Sequence, residues 1–154
     1  MKVFVDTSAF YALVSATDHA HHRALAIHDR LKAEAIPLAT SNYVFLEAFS
    51  LLQRRHGVED AEQFGEFVSR HVELVWVGAD QHRAAWDYWQ RHRKRGLSLV
   101  DCSCFVVMQT LGVRHAFAFD EQFREAGFTL LQAPPEMVGE ARGAYRVGRR
   151  KRAH

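Results

Sequence analysis

Cysteine and long apolar runs are both scarce in this 154-residue chain, and each scarcity excludes something. There are two cysteines, Cys102 and Cys104. They are too close in sequence to staple a domain, so a disulfide framework is excluded and a reducing cytosol fits best. On a helix the two point apart and read as small buried hydrophobes rather than a redox pair. No uninterrupted apolar stretch approaches the ~18 residues that a membrane span needs. The opening Met1-Lys2-Val3-Phe4-Val5-Asp6 meets an acid too early to be the apolar core of a signal peptide. There is no internal repeat and no low-complexity linker, and the length suits one domain with a sizeable core.

Charge is present but unevenly placed. The formal net charge is +2. Six Lys and Arg fall between Arg142 and His154 with no acid among them, leaving 14 basic and 18 acidic residues in the first 141, a net of −4. We therefore divide the chain into a body over 1–135 and a basic tail over 136–154. A cluster such as Arg149, Arg150, Lys151 and Arg152 can hold a polyanion by releasing its counterions. It can equally be a solvated end that aids solubility.

Periodicity in the body predicts strands alternating with helices. Short, mainly apolar runs give strands at 2–5, 37–40, 72–77, 116–119 and 128–131, the first of them β-branched. Helices are predicted to start near residue 8 and to cover about 20–34, 42–55, 59–70, 80–94, 98–111 and 121–126. Ser41 or Asn42 caps the third of these, while Gly57, Gly96, Gly112 and Gly127 are the stops. This alternation argues for an α/β fold, a parallel sheet of about five strands with helices on both faces. In such sheets ligands bind beyond the carboxyl ends of the strands, where strand order reverses.

Four acids sit where that edge would gather them. Asp6 closes the first strand and precedes Thr7-Ser8, two hydroxyls able to hold a water near the site. Asp120 closes the strand Ala116-Phe117-Ala118-Phe119. Asp101 opens a helix three residues after Ser98, and Glu47 lies inside another. Each has an ordinary alternative. Asp6 and Asp120 suit a helix N-cap, and Ser98 with Asp101 fits a capping box. Glu47 has Tyr43, Val44, Ser50 and Leu51 around it on its helix. That predicts a partly buried carboxylate with no Lys or Arg within one turn; the alternative is a rim glutamate reaching water. Converging carboxylates repel, and some must protonate unless a cation joins them. Oxygen ligands favour Mg²⁺ or Mn²⁺ over zinc. The pattern points to metal-assisted phosphodiester chemistry.

The segments Val5-Asp6-Thr7-Ser8-Ala9-Phe10-Tyr11-Ala12-Leu13, Thr40-Ser41-Asn42 through Glu47, Leu97-Ser98-Leu99-Val100-Asp101-Cys102-Ser103 and Ala116-Phe117-Ala118-Phe119-Asp120 resemble PIN-domain ribonucleases, specifically the VapC-type toxins of bacterial toxin–antitoxin pairs. The resemblance runs over about 1–133. It implies a Rossmann-like PIN fold and Mg²⁺- or Mn²⁺-dependent RNA cleavage leaving 5′-phosphate and 3′-hydroxyl ends. It also implies homodimers and a cognate antitoxin that blocks the site. Its acidic quartet falls on Asp6, Glu47, Asp101 and Asp120, with Asp6 and Asp101 as direct metal ligands and Glu47 and Asp120 direct or through water. Thr7 and Ser103 become supporting hydroxyls.

Two rivals are weighed against this. A non-catalytic module that docks RNA or a protein would be favoured by a missing acid, and none is missing. A haloacid-dehalogenase-type phosphatase wants a second Asp two residues after the first, where this chain has Ser8. The histidines at 19, 21, 22 and 28 are read as surface residues rather than zinc ligands. Trp76, Trp86 and Trp89 are read as core or dimer packing rather than a base-stacking platform.

Overall fold

The computed structural model describes residues 1–135; the basic tail, with Arg149, Arg150, Lys151 and Arg152, lies outside the described residues. Five strands form one sheet: β1 (Val3–Val5), β2 (Leu38–Ser41), β3 (Val72–Val75), β4 (His115–Phe117) and β5 (Thr129–Leu130). Their order is β3-β2-β1-β4-β5 and every pairing is parallel. The chain thus builds outward from β1 on one side, then crosses back to build β4 and β5 on the other. Strand order reverses between β1 and β4, so the ligand edge lies beyond Val5 and Phe117.

Seven helices flank this sheet among the described residues: α1 (Thr7–Val14), α2 (His21–Ala33), α3 (Asn42–His56), α4 (Val58–His71), α5 (Ala79–His92), α6 (Leu99–Leu111) and α7 (Gln122–Glu125). Successive residues of a strand face opposite sides. Val3, Phe4 and Val5 are all at most 1% exposed, so both faces of β1 are covered. Phe4, Phe10, Phe105, Phe117 and Phe123 are the largest fully buried side chains of the core. The apolar side expected of α2, with Ala24, Leu25, Ile27 and Leu31, is buried throughout. No helix among the described residues is long and apolar enough to cross a membrane.

Several boundaries differ from the sequence expectation, each for a local reason. β3 stops at Val75 rather than Val77, because the Val77 amide donates to the Asn42 side chain at 2.6 Å instead of to the sheet. α5 ends at His92, before Gly96, with Arg93 taking the left-handed conformation (φ 41°) and donating its amide to the Trp89 carbonyl. β4 ends at Phe117, because the Phe119 amide donates to Ser8 Oγ at 3.0 Å. Asp120 therefore belongs to the loop after β4 rather than to the strand's last position.

Candidate active site

Asp6 stands immediately after β1 and is both things the sequence allowed. It is the N-cap of α1, and it is 4% exposed at the reversal point of the sheet. Its Oδ2 accepts from the Ser8 amide at 3.2 Å and from Ser8 Oγ at 2.8 Å. Ser8 Oγ in turn accepts from the Phe119 amide. One hydroxyl therefore fastens the β1 carboxylate to the β4 loop. Sequence reasoning placed Thr7 in the supporting role. Thr7 Oγ1 is buried without a hydrogen-bond partner among the described residues, although Thr7 lines the same cleft. Ser8 was legible only as a hydroxyl two residues from an acid.

Asp101 reaches the site from the start of α6. Ser98 Oγ accepts the Asp101 amide at 2.9 Å, and Asp101 Oδ2 accepts the Ser98 amide at 3.1 Å, completing a capping box. That box uses only Oδ2. One turn further on, Cys104 Sγ lies 3.9 Å from Asp6 Oδ1, so α6 packs directly behind the β1 carboxylate. Cys102 and Cys104 are both free and buried. Ser103 is fully buried too, but its hydroxyl donates to the Val100 carbonyl at 2.6 Å. It is absent from the residues that line the cleft.

Asp120 Oδ1 accepts the Gln122 amide at 2.9 Å, which ties one oxygen to the loop entering α7. Glu47 corrects the sequence reading: it is exposed on α3, not partly buried. Its apolar neighbours on the helix turn to the core, with Val44 and Ala48 fully buried, while Glu47 turns to the cleft mouth.

One open cleft collects the quartet. Asp6, Glu47, Asp101 and Asp120 all line it, with Asp18 and Glu121 adding two more acids. The electrostatic result is a raised proton affinity at the two buried carboxyls, Asp6 and Asp101. Burial, together with the nearby Glu47 charge, raises the Asp6 carboxyl to about 6, against the hydrogen bonds from Ser8 and the Thr7 amide. Burial, with Asp6 and Asp120 nearby, raises Asp101 to about 7. Burial first, then the charges of Asp6, Asp101 and Glu47, pushes the Cys104 thiol well above its ordinary value.

This donor set fits a divalent cation of a particular kind. The ligand atoms are all carboxylate oxygens, the choice of a hard ion. Asp6 and Asp101 carry an electrostatic strain that a cation would relieve. Among the described residues no three His, Cys, Asp or Glu side chains form a ready-made ion cage. The donor set fits a hard divalent ion that takes one or two direct carboxylates and keeps several waters.

Features outside the cleft resolve differently. His21 is buried rather than on the surface, its Nδ1 2.6 Å from the Ala12 carbonyl. His19 and His22 are exposed and His28 half-buried. Trp89 is half-buried, stacks on Trp86 with ring centroids 5.7 Å apart and donates to the Leu97 carbonyl. Trp86 and Trp76 are exposed, so neither is core.

The family model of the PIN domain matches residues 3–129. The chain is 40% identical over 128 residues to the 23S rRNA-specific endonuclease VapC20 of Mycobacterium tuberculosis, covering 82% of this chain and 95% of that one. The crystal structure of the M. tuberculosis VapC20, described as a sarcin–ricin-loop-cleaving toxin, superposes with a TM-score of 0.75 at 39% identity, over 84% of this chain and 98% of that one. The Rickettsia felis VapBC2 structure, bound to promoter DNA, gives 0.63 at 12% identity, over 85% and 98%. VapBC-1 of nontypeable Haemophilus influenzae gives 0.62 at 12%, over 86% and 98%. These last two speak for the fold alone.

Proposed function

The chain belongs to the PIN-domain family, and we propose that it is a VapC-type toxin, an endoribonuclease that uses Mg²⁺ or Mn²⁺ and is neutralised by a cognate antitoxin. The nuclease and toxin assignments rest on 40% identity to VapC20 across most of both chains. The metal assignment rests on one observation in this protein. Two buried carboxyls, Asp6 and Asp101, meet in a cleft with Glu47 and Asp120, and burial and mutual repulsion raise both.

In this reading Asp6 and Asp101 hold the ion directly, while Glu47 and Asp120 hold it directly or through water. When bound, a divalent ion lowers the pKa of its water and screens the charge of the phosphate. The protein supplies the rest. Ser8 and the Ser98 capping box fix the two ligands, each through its Oδ2. The Asp120 oxygen that is not tied to the Gln122 amide is available to take a proton from the attacking water. In-line attack would leave 5′-phosphate and 3′-hydroxyl ends.

The relative's named target makes a sarcin–ricin-loop hairpin of 23S rRNA the first substrate to try. Homodimerisation, pairing with an antitoxin encoded beside the gene, and a cytoplasmic location belong to the same proposal. The test is cleavage of total RNA and of that hairpin by protein stripped of antitoxin, with Mg²⁺ or Mn²⁺ against EDTA, beside Asp6→Asn. We expect discrete cuts that need metal and fall by roughly 10²–10³ in the variant. Equal cutting by Asp6→Asn would sink the site assignment. RNA binding without cutting would favour a non-catalytic module.

A further inference from the structure

The cleft gathers six acids, yet its proposed substrate is a polyanion. Among the described residues its lining includes one arginine, Arg55, near the end of α3. The Arg55 guanidinium lies over the Tyr11 ring, 5.5 Å from its centroid. Tyr11 comes from α1, five residues after Asp6, and lines the cleft as well. Its hydroxyl is 3.4 Å from His56 Nε2, and the His56 ring meets Tyr11 edge-on at 5.6 Å. His56 Nδ1 lies 3.8 Å from Asp60. The neighbouring Arg55 guanidinium is the main reason the Tyr11 hydroxyl is lowered from its ordinary value.

Arg30, Arg83 and Arg124 make ion pairs within 4.0 Å; Arg55, like Arg54, makes none among the described residues. Instead it is held on an aromatic ring, with its charge kept at the mouth of a site built for phosphate chemistry. Guanidinium groups stack on aromatic faces and still present a flat fork of donors. That fork matches the oxygens of a phosphate.

We propose that Arg55 is a substrate-binding residue that grips an RNA phosphate flanking the scissile one, with Tyr11 as the positioning residue that holds it there. This rests on the endoribonuclease reading. Arg54 supplies the control. It is the adjacent residue on the same helix, equally charged and exposed, but outside the cleft.

The experiment uses the full chain, the sarcin–ricin-loop hairpin and total RNA. Arg55→Gln, Arg55→Lys, Tyr11→Ala and Arg54→Gln are compared for kcat and KM. Hairpin affinity is measured across salt in an Asp6→Asn background, and Mn²⁺ affinity in the otherwise wild-type protein. We expect Arg55→Gln to lower kcat/KM by roughly tenfold to a hundredfold, mostly through KM. The salt slope of binding should drop by about 0.7, one single-strand phosphate contact. Mn²⁺ affinity should hold or tighten, Arg55→Lys should restore part of the loss, and Tyr11→Ala should add little to Arg55→Gln. Arg54→Gln should change none of these. If Arg55→Gln matches Arg54→Gln while the parent cuts and binds RNA, the assignment of Arg55 is wrong and the nuclease reading stands. If the parent neither cuts nor binds either RNA, both fall together.

Discussion

Helix α1 looks onto two different regions, and the contrast explains how this small fold carries a strained site. One side bears Ser8 and Tyr11, and with Asp6 before it, this side faces the acidic cleft. The other bears Phe10, Leu13 and Val14, which line an apolar groove with Leu25, His28, Phe64 and Phe67. Phe10 and Phe64 meet edge-to-face at 5.0 Å, and both are nearly fully buried. The groove side contributes stability through burial. The cleft side consumes it, because two buried carboxyls are held next to other acids. The same eight-residue helix thus anchors the fold and aims the chemistry, and removing a groove ring or a buried cleft charge should change stability in opposite directions.

The largest effect should come from emptying the groove side. Phe64→Ala removes a buried ring that also packs on Phe45, and should cost about 3–5 kcal/mol in denaturant unfolding. Cleavage per folded molecule should hardly change. A loss of activity beyond the loss of folded protein would show that the two regions are coupled.

A somewhat smaller effect of the opposite sign should follow from relieving the cleft. Asp101 titrates near 3.8 when unfolded and at about 7 when folded. The folded state therefore holds this proton more tightly. Its stability cost is absent below pH 4, grows as pH rises from 4 to 7, and is complete above that. Asp101→Asn keeps an oxygen for the Ser98 amide and removes the charge. It should stabilise metal-free protein by about 2–4 kcal/mol at pH 8 and by nearly nothing at pH 4, while abolishing cleavage. Urea unfolding at the two pH values checks this, and a stabilisation that does not vary with pH would refute the electrostatic origin.

Ser8→Ala should give a smaller change and sharpen the link between loops. It strips Asp6 of a hydroxyl donor and leaves the Phe119 amide unpaired. The expected cost is about 1–3 kcal/mol, with a drop in cleavage. Thr7→Val, which removes a hydroxyl without a partner, should be nearly neutral for stability, and the pair compared in one melting experiment separates the two hydroxyls.

Much of this arrangement was legible in the sequence because its signals are local. Val3-Phe4-Val5 before Asp6 specified a buried strand and the residue at its end. Ser98 and Asp101 announced their own capping box. Gly57 and Gly112, both at positive φ, marked helix ends where only a residue without Cβ is comfortable. What was hidden depends on partners distant along the chain. β4 is shortened by a hydroxyl 111 residues away. The exposure of Glu47 depends on how α3 is rolled on its neighbours, which helical spacing cannot fix when apolar residues surround the position. His21 is buried because a carbonyl of α1 is there to receive it. Arg55 meets Tyr11 only after α1 and α3 pack, so no spacing rule pairs them.

Asp6 and Asp101 are expected to hold a cation whose binding relieves their burial. Calorimetric titration of Mn²⁺ into the metal-free protein at pH 7.5 tests it most directly, with Asp6→Asn/Asp101→Asn beside it. The account predicts saturable binding that releases protons, weakens steeply by pH 5, and is lost in the double variant. Binding of equal strength in the double variant, or none in well-folded wild-type protein, would contradict it.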